Sequence, residues 1–371
     1  MGKKKSNTIS EDYLLLPQHV FPSRPAPSPS SSVPASGTAT PSQPPSTEPS
    51  ESATLSTPAP ESKPTLTPIF DSHTHLLSTY AFYKSKYPSG QHQTVFEFAK
   101  ALLNGGTEER KSNKVEAMVD VWCEPPFKKD QWKVYADAAL TKEGEQSWGG
   151  FEYWFVMGIH EAKKYNDQIE ADILEAMTHP RCVGWGEIGL DYHYDHSPRE
   201  IQREVFTRQL RHAVKLGKSL TIHTREADED TERILKAEVP KDHKVHIHCF
   251  TDSPQFAQNL LAHFPNLCIG VTGVVTYSSN TNTSDIIRIM AESNPTAPLR
   301  IVLETDAPYM TPGNICGSLP AEVKGKKLPI CHSAMIPWTA EFVVGVVGSE
   351  KWDVEKVMKE SRDNCRMIYG V

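Results

Sequence analysis

The sequence lacks a basic balance: its formal net charge is −7. A protein that coats nucleic acid by long-range electrostatics needs a strongly basic face, so that class is excluded, and any anionic substrate must be held by local cations. Cys-x-x-Cys spacing is missing too. Seven cysteines, odd in number and scattered, read as reduced thiols of a cytoplasmic or nuclear protein rather than as a disulfide framework. There is no run of eighteen apolar residues and no charged-then-apolar leader, so neither a membrane span nor a secretory signal is expected. The start Met1-Gly-Lys-Lys-Lys-Ser6 fits the bare pattern of N-myristoylation, but a lysine directly after the glycine speaks against it, and no membrane partner is expected.

Large apolar residues are scarce between about Pro22 and Pro64, where Pro, Ser, Thr and Ala dominate. Such a stretch cannot bury enough surface to offset chain entropy. Residues 1–66 are therefore expected to be a disordered tail, dispensable for folding and catalysis, with Tyr13-Leu14-Leu15-Leu16 as its only sticky spot. Which proteins such a tail would bind is not readable from its composition.

From Thr67 onward, short strand patterns alternate with amphipathic helices. Strands are expected at Pro68–His75, Val115–Trp122, Tyr153–His160, Val183–Leu190, Ser219–Thr224, Lys244–Phe250, Leu267–Gly273 and Arg300–Asp306. Helical spacing recurs between them, at Asp167–Met177, Ile201–Leu216, Thr231–Glu238 and Pro254–His263. Eight strand–helix units across residues 67–371 predict an α/β fold, a (β/α)8 TIM barrel whose chemistry sits at the strands' C-terminal ends. An open doubly wound sheet would more usually show a glycine-rich phosphate turn after its first strand, where this chain has His-Thr-His-Leu-Leu. Residues 76–114 and 123–150 read as enlarged loops on the active-site side, able to narrow its mouth.

The first strand ends in His73-Thr74-His75. Alternation along a strand puts both imidazoles on one face, about 6–7 Å apart along the backbone, where they can converge on one metal ion. Four later strand ends also carry metal-type side chains: Glu187 between glycines, His223, His248 and Asp306. His246 and Glu304 lie one layer deeper and suit packing or hydrogen bonding to these groups. Four imidazoles and two carboxylates exceed the needs of one tetrahedral zinc, and a bridging Glu187 could hold two divalent ions, Zn, Mg or Mn, about 3.5–4 Å apart. Asp306 could also accept the proton of an activated water, and Arg225 could fork onto a phosphate. Lysines of Val323-Lys-Gly-Lys-Lys-Leu328 are further candidates for holding an anion.

Six stretches from Phe70 to Tyr369 carry a family resemblance: Asp71-Ser-His-Thr-His75, Gly158-Ile-His160, Gly186-Glu-Ile-Gly-Leu-Asp-Tyr192, Ile222-His-Thr-Arg225, His248-Cys-Phe250 and Leu303-Glu-Thr-Asp-Ala-Pro-Tyr309. The chain resembles the TatD family of metal-dependent deoxyribonucleases, within the amidohydrolase-type barrels. The resemblance implies that His73, His75, Glu187 and Asp306 surround one metal and that Glu187, His223 and His248 hold the other. It also implies hydrolysis of DNA phosphodiesters, often exonucleolytic, with Asp306 and Glu187 catalytic and with Arg225 and His160 touching substrate. Departures concern the substrate side: Glu161-Ala162 stands where the family usually has Pro-His, and His193 occupies an aromatic position.

Two other readings compete. An amidohydrolase or deaminase acting on a small C–N substrate would use the His-x-x-Glu spacing of His223-Thr-Arg-Glu226, but would leave Glu187 without a role. A barrel scaffold that binds proteins through its tail and loops would have no need of six intact ligand positions.

Overall fold

The computed structural model describes residues 9–16, 67–104 and 114–371. Strands and helices alternate through the larger part: β1 (Ile69–Thr74), α1 (Leu76–Lys86), α2 (Val95–Asn104), β2 (Val115–Trp122), α3 (Lys129–Ala138), α4 (Lys142–Ser147), β3 (Glu152–Met157) and α5 (Asp167–Ala176). Then follow β4 (Cys182–Asp191), α6 (Arg199–Leu216), β5 (Ser219–Arg225), α7 (Asp228–Glu238), β6 (Val245–Ile247) and α8 (Pro254–His263). The chain ends with β7 (Leu267–Val271), α9 (Asn282–Ser293), β8 (Ile301–Leu303), α10 (Ile336–Val347) and α11 (Val354–Tyr369). The strands form one eight-stranded sheet in the order β1 to β8, and neighbours pair in parallel. This is the expected barrel.

Closure between β8 and β1 runs through individual hydrogen bonds. The Asp306 amide donates to the His73 carbonyl (2.9 Å) and the His75 amide to the Ala307 carbonyl (3.1 Å). The Thr305 amide and hydroxyl donate to the Asp71 carboxylate (3.1 and 2.6 Å), and the Ser72 hydroxyl donates to the Leu303 carbonyl (3.2 Å). The seam thus lies directly under two of the expected ligand positions.

Local sequence explains the packing. In α11 the buried positions Val354, Val357, Met358, Ser361, Cys365, Ile368 and Tyr369 recur at three- and four-residue steps, the Asp353 side chain caps the start, and left-handed Gly370 (φ 69°) ends it. Its apolar face packs with Phe70, Val119, Val156, Val183 and Val302 of the strands. The Tyr369 hydroxyl reaches into the barrel and meets His246 Nδ1 at 2.8 Å and Thr221 Oγ1 at 3.0 Å. The most C-terminal helix therefore supports a polar layer beneath the strand ends.

Several expectations need correction. The stretches 76–114 and 123–150 are built around helices α1 to α4 rather than loops, and among their described residues only Ser78, Cys123 and Glu124 line the central cavity. Strands β6 and β8 are three residues each, because the chain turns away at His248 and Glu304 to aim those side chains. Within the expected tail, residues 9–16, which include the sticky spot Tyr13-Leu14-Leu15-Leu16, pack onto the barrel. Ile9, Leu14 and Leu16 are buried, and Ile9 and Leu16 pack with Ala307, Leu319, Val323, Leu328 and Trp338. The rest of the expected tail, residues 1–8 and 17–66, lies outside the described residues. Among the described residues no helix is long and apolar enough to cross a membrane.

Candidate metal centre

His73 is buried within β1, whereas His75 lies just beyond the strand and precedes α1. Their Nε2 atoms are nevertheless 3.3 Å apart. The pair meets because the backbone leaves the strand between them, with a register shift after Asp71, and not because of simple alternation. Glu187 sits where β4 slips register against β5, between the pairs Gly186–Thr221 and Ile188–Ile222. Such a bulge re-aims one side chain. The flanking glycines serve the backbone approach: a Cβ on Gly186 would stand 2.5 Å from Thr221 Cβ, and one on Gly189 (φ 153°) 1.8 Å from the His223 carbonyl oxygen.

The structure brings all six expected ligand positions together. Glu187 divides its oxygens between two groups. Oε2 lies 3.5 Å from His73 Nε2 and 3.8 Å from His75 Nε2, and Asp306 Oδ1 lies 3.7 and 3.3 Å from the same two nitrogens. Oε1 lies 2.8 Å from His223 Nδ1 and 3.0 Å from His248 Nε2, which are 3.1 Å from each other. Ring nitrogens that face one another across a carboxylate oxygen repel unless a proton or a cation lies among them, so this donor set fits divalent ions in both groups. Without ions, protons fill that role. Burial opposes a charge on His223, but Asp191 and Glu187 overcome it and push the imidazole up to about 10. Burial likewise opposes charge on His75, which Asp306 and Cys123 nevertheless hold well above the usual range. Burial acts to raise Glu187, yet the surrounding histidines keep it well below an ordinary carboxylate.

A second tier of contacts fixes these rings. Asp191 Oδ2 stands 3.3 Å from His223 Nε2, and Glu304 Oε2 stands 2.9 Å from His246 Nε2, the deeper histidine expected to pack. Asp191 went unassigned in the sequence, although a carboxylate four positions after Glu187 on one strand faces the same way. Cys123 was also missed. It follows β2 directly, and its sulfur lies within 4.8 Å of ligand atoms of His160 and Glu187. A thiol at the end of the second strand was the available signal.

These groups line a cavity of about 550 Å3 whose wall also includes Glu124, Glu161, Lys164, Tyr194, His196, Arg225 and Tyr309. Non-glycine residues with left-handed φ are concentrated in the connections here: Asp195, Glu226, Cys249, Asp306 and Met310, with φ between 43° and 58°. Backbones held in this region cost energy and cluster where geometry serves a site. His160 stacks on His223 at 4.8 Å, and burial lowers its pKa to about 4, so it enters the cavity neutral. The Arg225 guanidinium lies 4.8 Å over the Tyr194 ring, while Glu226 pairs with His193 (2.7 Å) and Asp228 takes Ser253. Glu226 is mostly exposed and outside the cavity wall, which removes the acid that the deaminase reading needed. The lysines of 324–327 are exposed and do not line the cavity.

The family model described as TatD related DNase matches residues 70–370. The chain belongs to that family. The human "3'-5' RNA nuclease TATDN2" is 45% identical over 170 residues, which cover 45% of this chain and 21% of the human protein. The "3'-5' ssDNA/RNA exonuclease TatD" of a Rahnella species is 33% identical over 162 residues, 43% of this chain and 59% of the relative. The matched stretch thus spans about a fifth of the first of these relatives and less than two thirds of the second. The "Uncharacterized metal-dependent hydrolase YabD" of Bacillus subtilis is 28% identical over 249 residues, 66% of this chain and 82% of that protein. In fold, the chain superposes on an uncharacterized amidohydrolase from Saccharomyces cerevisiae with a TM-score of 0.61, at 17% identity over 82% of this chain and all of the other. The Escherichia coli TatD homolog YJJV gives 0.58 at 19% identity, over 82% of this chain and 98% of its own.

Proposed function

We propose that the chain is a metal-dependent phosphodiesterase that removes nucleotides from the ends of single-stranded DNA and RNA, from the 3' end. The observation that carries the reading is Glu187, whose two oxygens each face a separate set of imidazoles at the strand ends. Divalent ions held by His73, His75, Glu187, His223, His248 and Asp306 would supply an acidified water and neutralise phosphate charge. Four imidazoles against two carboxylates favour zinc over magnesium. Asp306 would take a proton from that water, a role supported by its partly covered carboxylate, which lies 3.3 Å from His75 Nε2. Arg225 and neutral His160 face the same cavity and suit the phosphate and sugar of the substrate. The choice of nucleic acid, strand form and polarity is supported by the activities in the names of the human and Rahnella relatives. A cytoplasmic or nuclear location is part of the proposal and is supported by seven cysteines that are all free.

The test combines elemental analysis with cleavage of 5'-labelled single strands of DNA and RNA. Products shortened stepwise from the 3' end, abolished by EDTA and restored by Zn2+ or Mn2+, are expected. Full metal occupancy without hydrolysis of either strand would overturn the reading.

A further inference from the structure

Large apolar side chains that stand exposed among the described residues include only two aromatic rings, Tyr194 at 57% and Tyr309 at 56%. The aliphatic ones, such as Val134, Ile201 and Met367, lie on the outer helices. Both tyrosines line the metal cavity instead. They stand after β4 and β8, half a turn apart in an eight-stranded barrel, and so flank its mouth from opposite sides.

Neither ring sits on a loose tip. The Tyr194 amide donates to Asp191 Oδ1 (2.9 Å), the carboxylate that also meets His223. The Tyr309 amide donates to the carbonyl of Asp306 (3.1 Å). Each ring is followed by a residue in the left-handed region, Asp195 (φ 51°) and Met310 (φ 58°), which turns the chain away at once. The rings are therefore held at fixed offsets from the two groups of metal-binding side chains. Around Tyr194 the surroundings are planar and cationic: His196 lies nearly parallel at 5.5 Å, and the Arg225 guanidinium lies 4.8 Å over the ring. Phe82 supports Tyr309 edge-on at 6.5 Å.

Exposed rings cost solvation, and here they are concentrated where an anionic substrate must enter. A chain that alternates phosphates with flat π surfaces matches both features at once, phosphate on the cations and bases on the rings. A base inside a duplex has both faces covered by its neighbours and a terminal pair offers only its outer face, so only unpaired bases can stack on two rings that flank one phosphate. We propose that Tyr194, with Arg225 and His196, and Tyr309 are two nucleobase platforms that hold unpaired bases on either side of the phosphate at the metal centre. The enzyme then selects single-stranded ends by stacking, with little regard to base identity. This rests on the nuclease reading and adds the residues that enforce the strand form.

The test uses the Mn2+-loaded full-length protein and phosphorothioate-linked oligothymidylate, which is cut slowly, against the same strand with abasic spacers at its two 3'-terminal positions. Both strands carry equal charge, so their affinity ratio reads stacking alone. The base-bearing strand is expected to bind at least roughly tenfold tighter. Tyr194→Ala and Tyr309→Ala should each shrink that ratio, and Tyr194→Phe and Tyr309→Phe should keep it. Both sites are more than half exposed, so the variants are expected to fold. Equal affinity of the wild-type protein for the two strands, or a ratio that survives both alanine variants, overturns the proposal. If unmodified strands are hydrolysed while the base-bearing and abasic strands bind equally, the platforms fail and the nuclease reading stands. A ratio that depends on both tyrosines, with no hydrolysis of any strand, supports the platforms and sinks the nuclease reading.

Discussion

At the scale of the residue, the two carboxylates have separable duties. Glu187 spans both histidine groups, whereas Asp306 touches only the His73–His75 group. Replacing Asp306 by Asn keeps the shape and one acceptor oxygen but removes the base. At saturating metal, kcat should fall by about 10²–10⁴-fold with the fold intact, and a near wild-type rate would make Asp306 a bystander. His75→Ala, by contrast, should lower metal content itself, which elemental analysis reads directly, because the remaining ligands cannot complete the coordination sphere. Protons compete with the metal at this centre. His223 and His75 both hold a proton above their ordinary range in the metal-free protein, and each must lose it to coordinate. Metal affinity should therefore rise with pH toward about 10, where His223 loses its proton, and calorimetry in buffers of different ionisation enthalpy should show proton release. A pH-independent affinity would contradict this. The six ligand positions were legible because each is a metal-type side chain within or just after a strand-type run. Asp191 and Cys123 were not, because a role that consists of orienting His223 or approaching His160 appears only once the strands are side by side.

At the scale of the element, the short segment 9–16 spans the seam where β8 meets β1. On the β1 side, the Tyr87 hydroxyl donates to the Ile9 carbonyl (2.8 Å), and Glu11 accepts from the Tyr83 hydroxyl (3.2 Å) and the Gln91 amide (3.0 Å). On the β8 side, His332 Nε2 bonds the Leu14 carbonyl at 3.0 Å. Burying three aliphatic side chains yields roughly 1.5–3 kcal/mol each, while ordering eight residues costs about 1–2 kcal/mol apiece, so the attachment is marginal and depends on its hydrogen bonds. Leu14→Ala, costing about 2–5 kcal/mol locally, should release the whole segment. Its melting temperature should then equal that of a variant lacking residues 1–16, with faster hydrogen exchange in α1 and in 307–338. A larger loss in the point variant than in the deletion would refute the strap. Burial lowers His332 to about 4 from its ordinary 6.5. Between these values the unfolded chain binds more protons, so stability is complete above pH 6.5 and declines as pH falls toward 4. His332→Gln should flatten that slope in pH-dependent melts. Strand order and helix periods were readable since each is local. The docking of Ile9 and Leu16 was not, since a short apolar run without a period marks a sticky spot but names no partner until the groove made by 307–338 exists to receive it.

At the scale of the whole molecule, the puzzle is how a chain of net charge −7 attracts a polyanion. The cavity wall deepens it. Glu124, Glu161, Glu187, Asp191 and Asp306 face two fixed cations, Lys164 and Arg225, and Lys164 is already paired with Glu161. Without metal, protons on His75 and His223 offset only part of that acidity. Binding should therefore be strengthened by the ions, and EDTA should weaken affinity for a phosphorothioate strand as well as abolish cleavage. The same balance sets the salt dependence. Each neutralised phosphate of a single strand contributes about 0.7 to the slope of log affinity against log salt, so Arg225, Lys164 and the metal-bound phosphate together give a slope no steeper than about −2. Stacking on Tyr194 and Tyr309 adds affinity without adding slope, because counterion release is absent from it. Titrations of the metal-loaded protein between low and physiological salt should show this shallow line, and Arg225→Ala should flatten it further. A slope of −5 or steeper would mean that a basic track outside the cavity carries the strand, and the metals would then be catalysts without being the principal anchors.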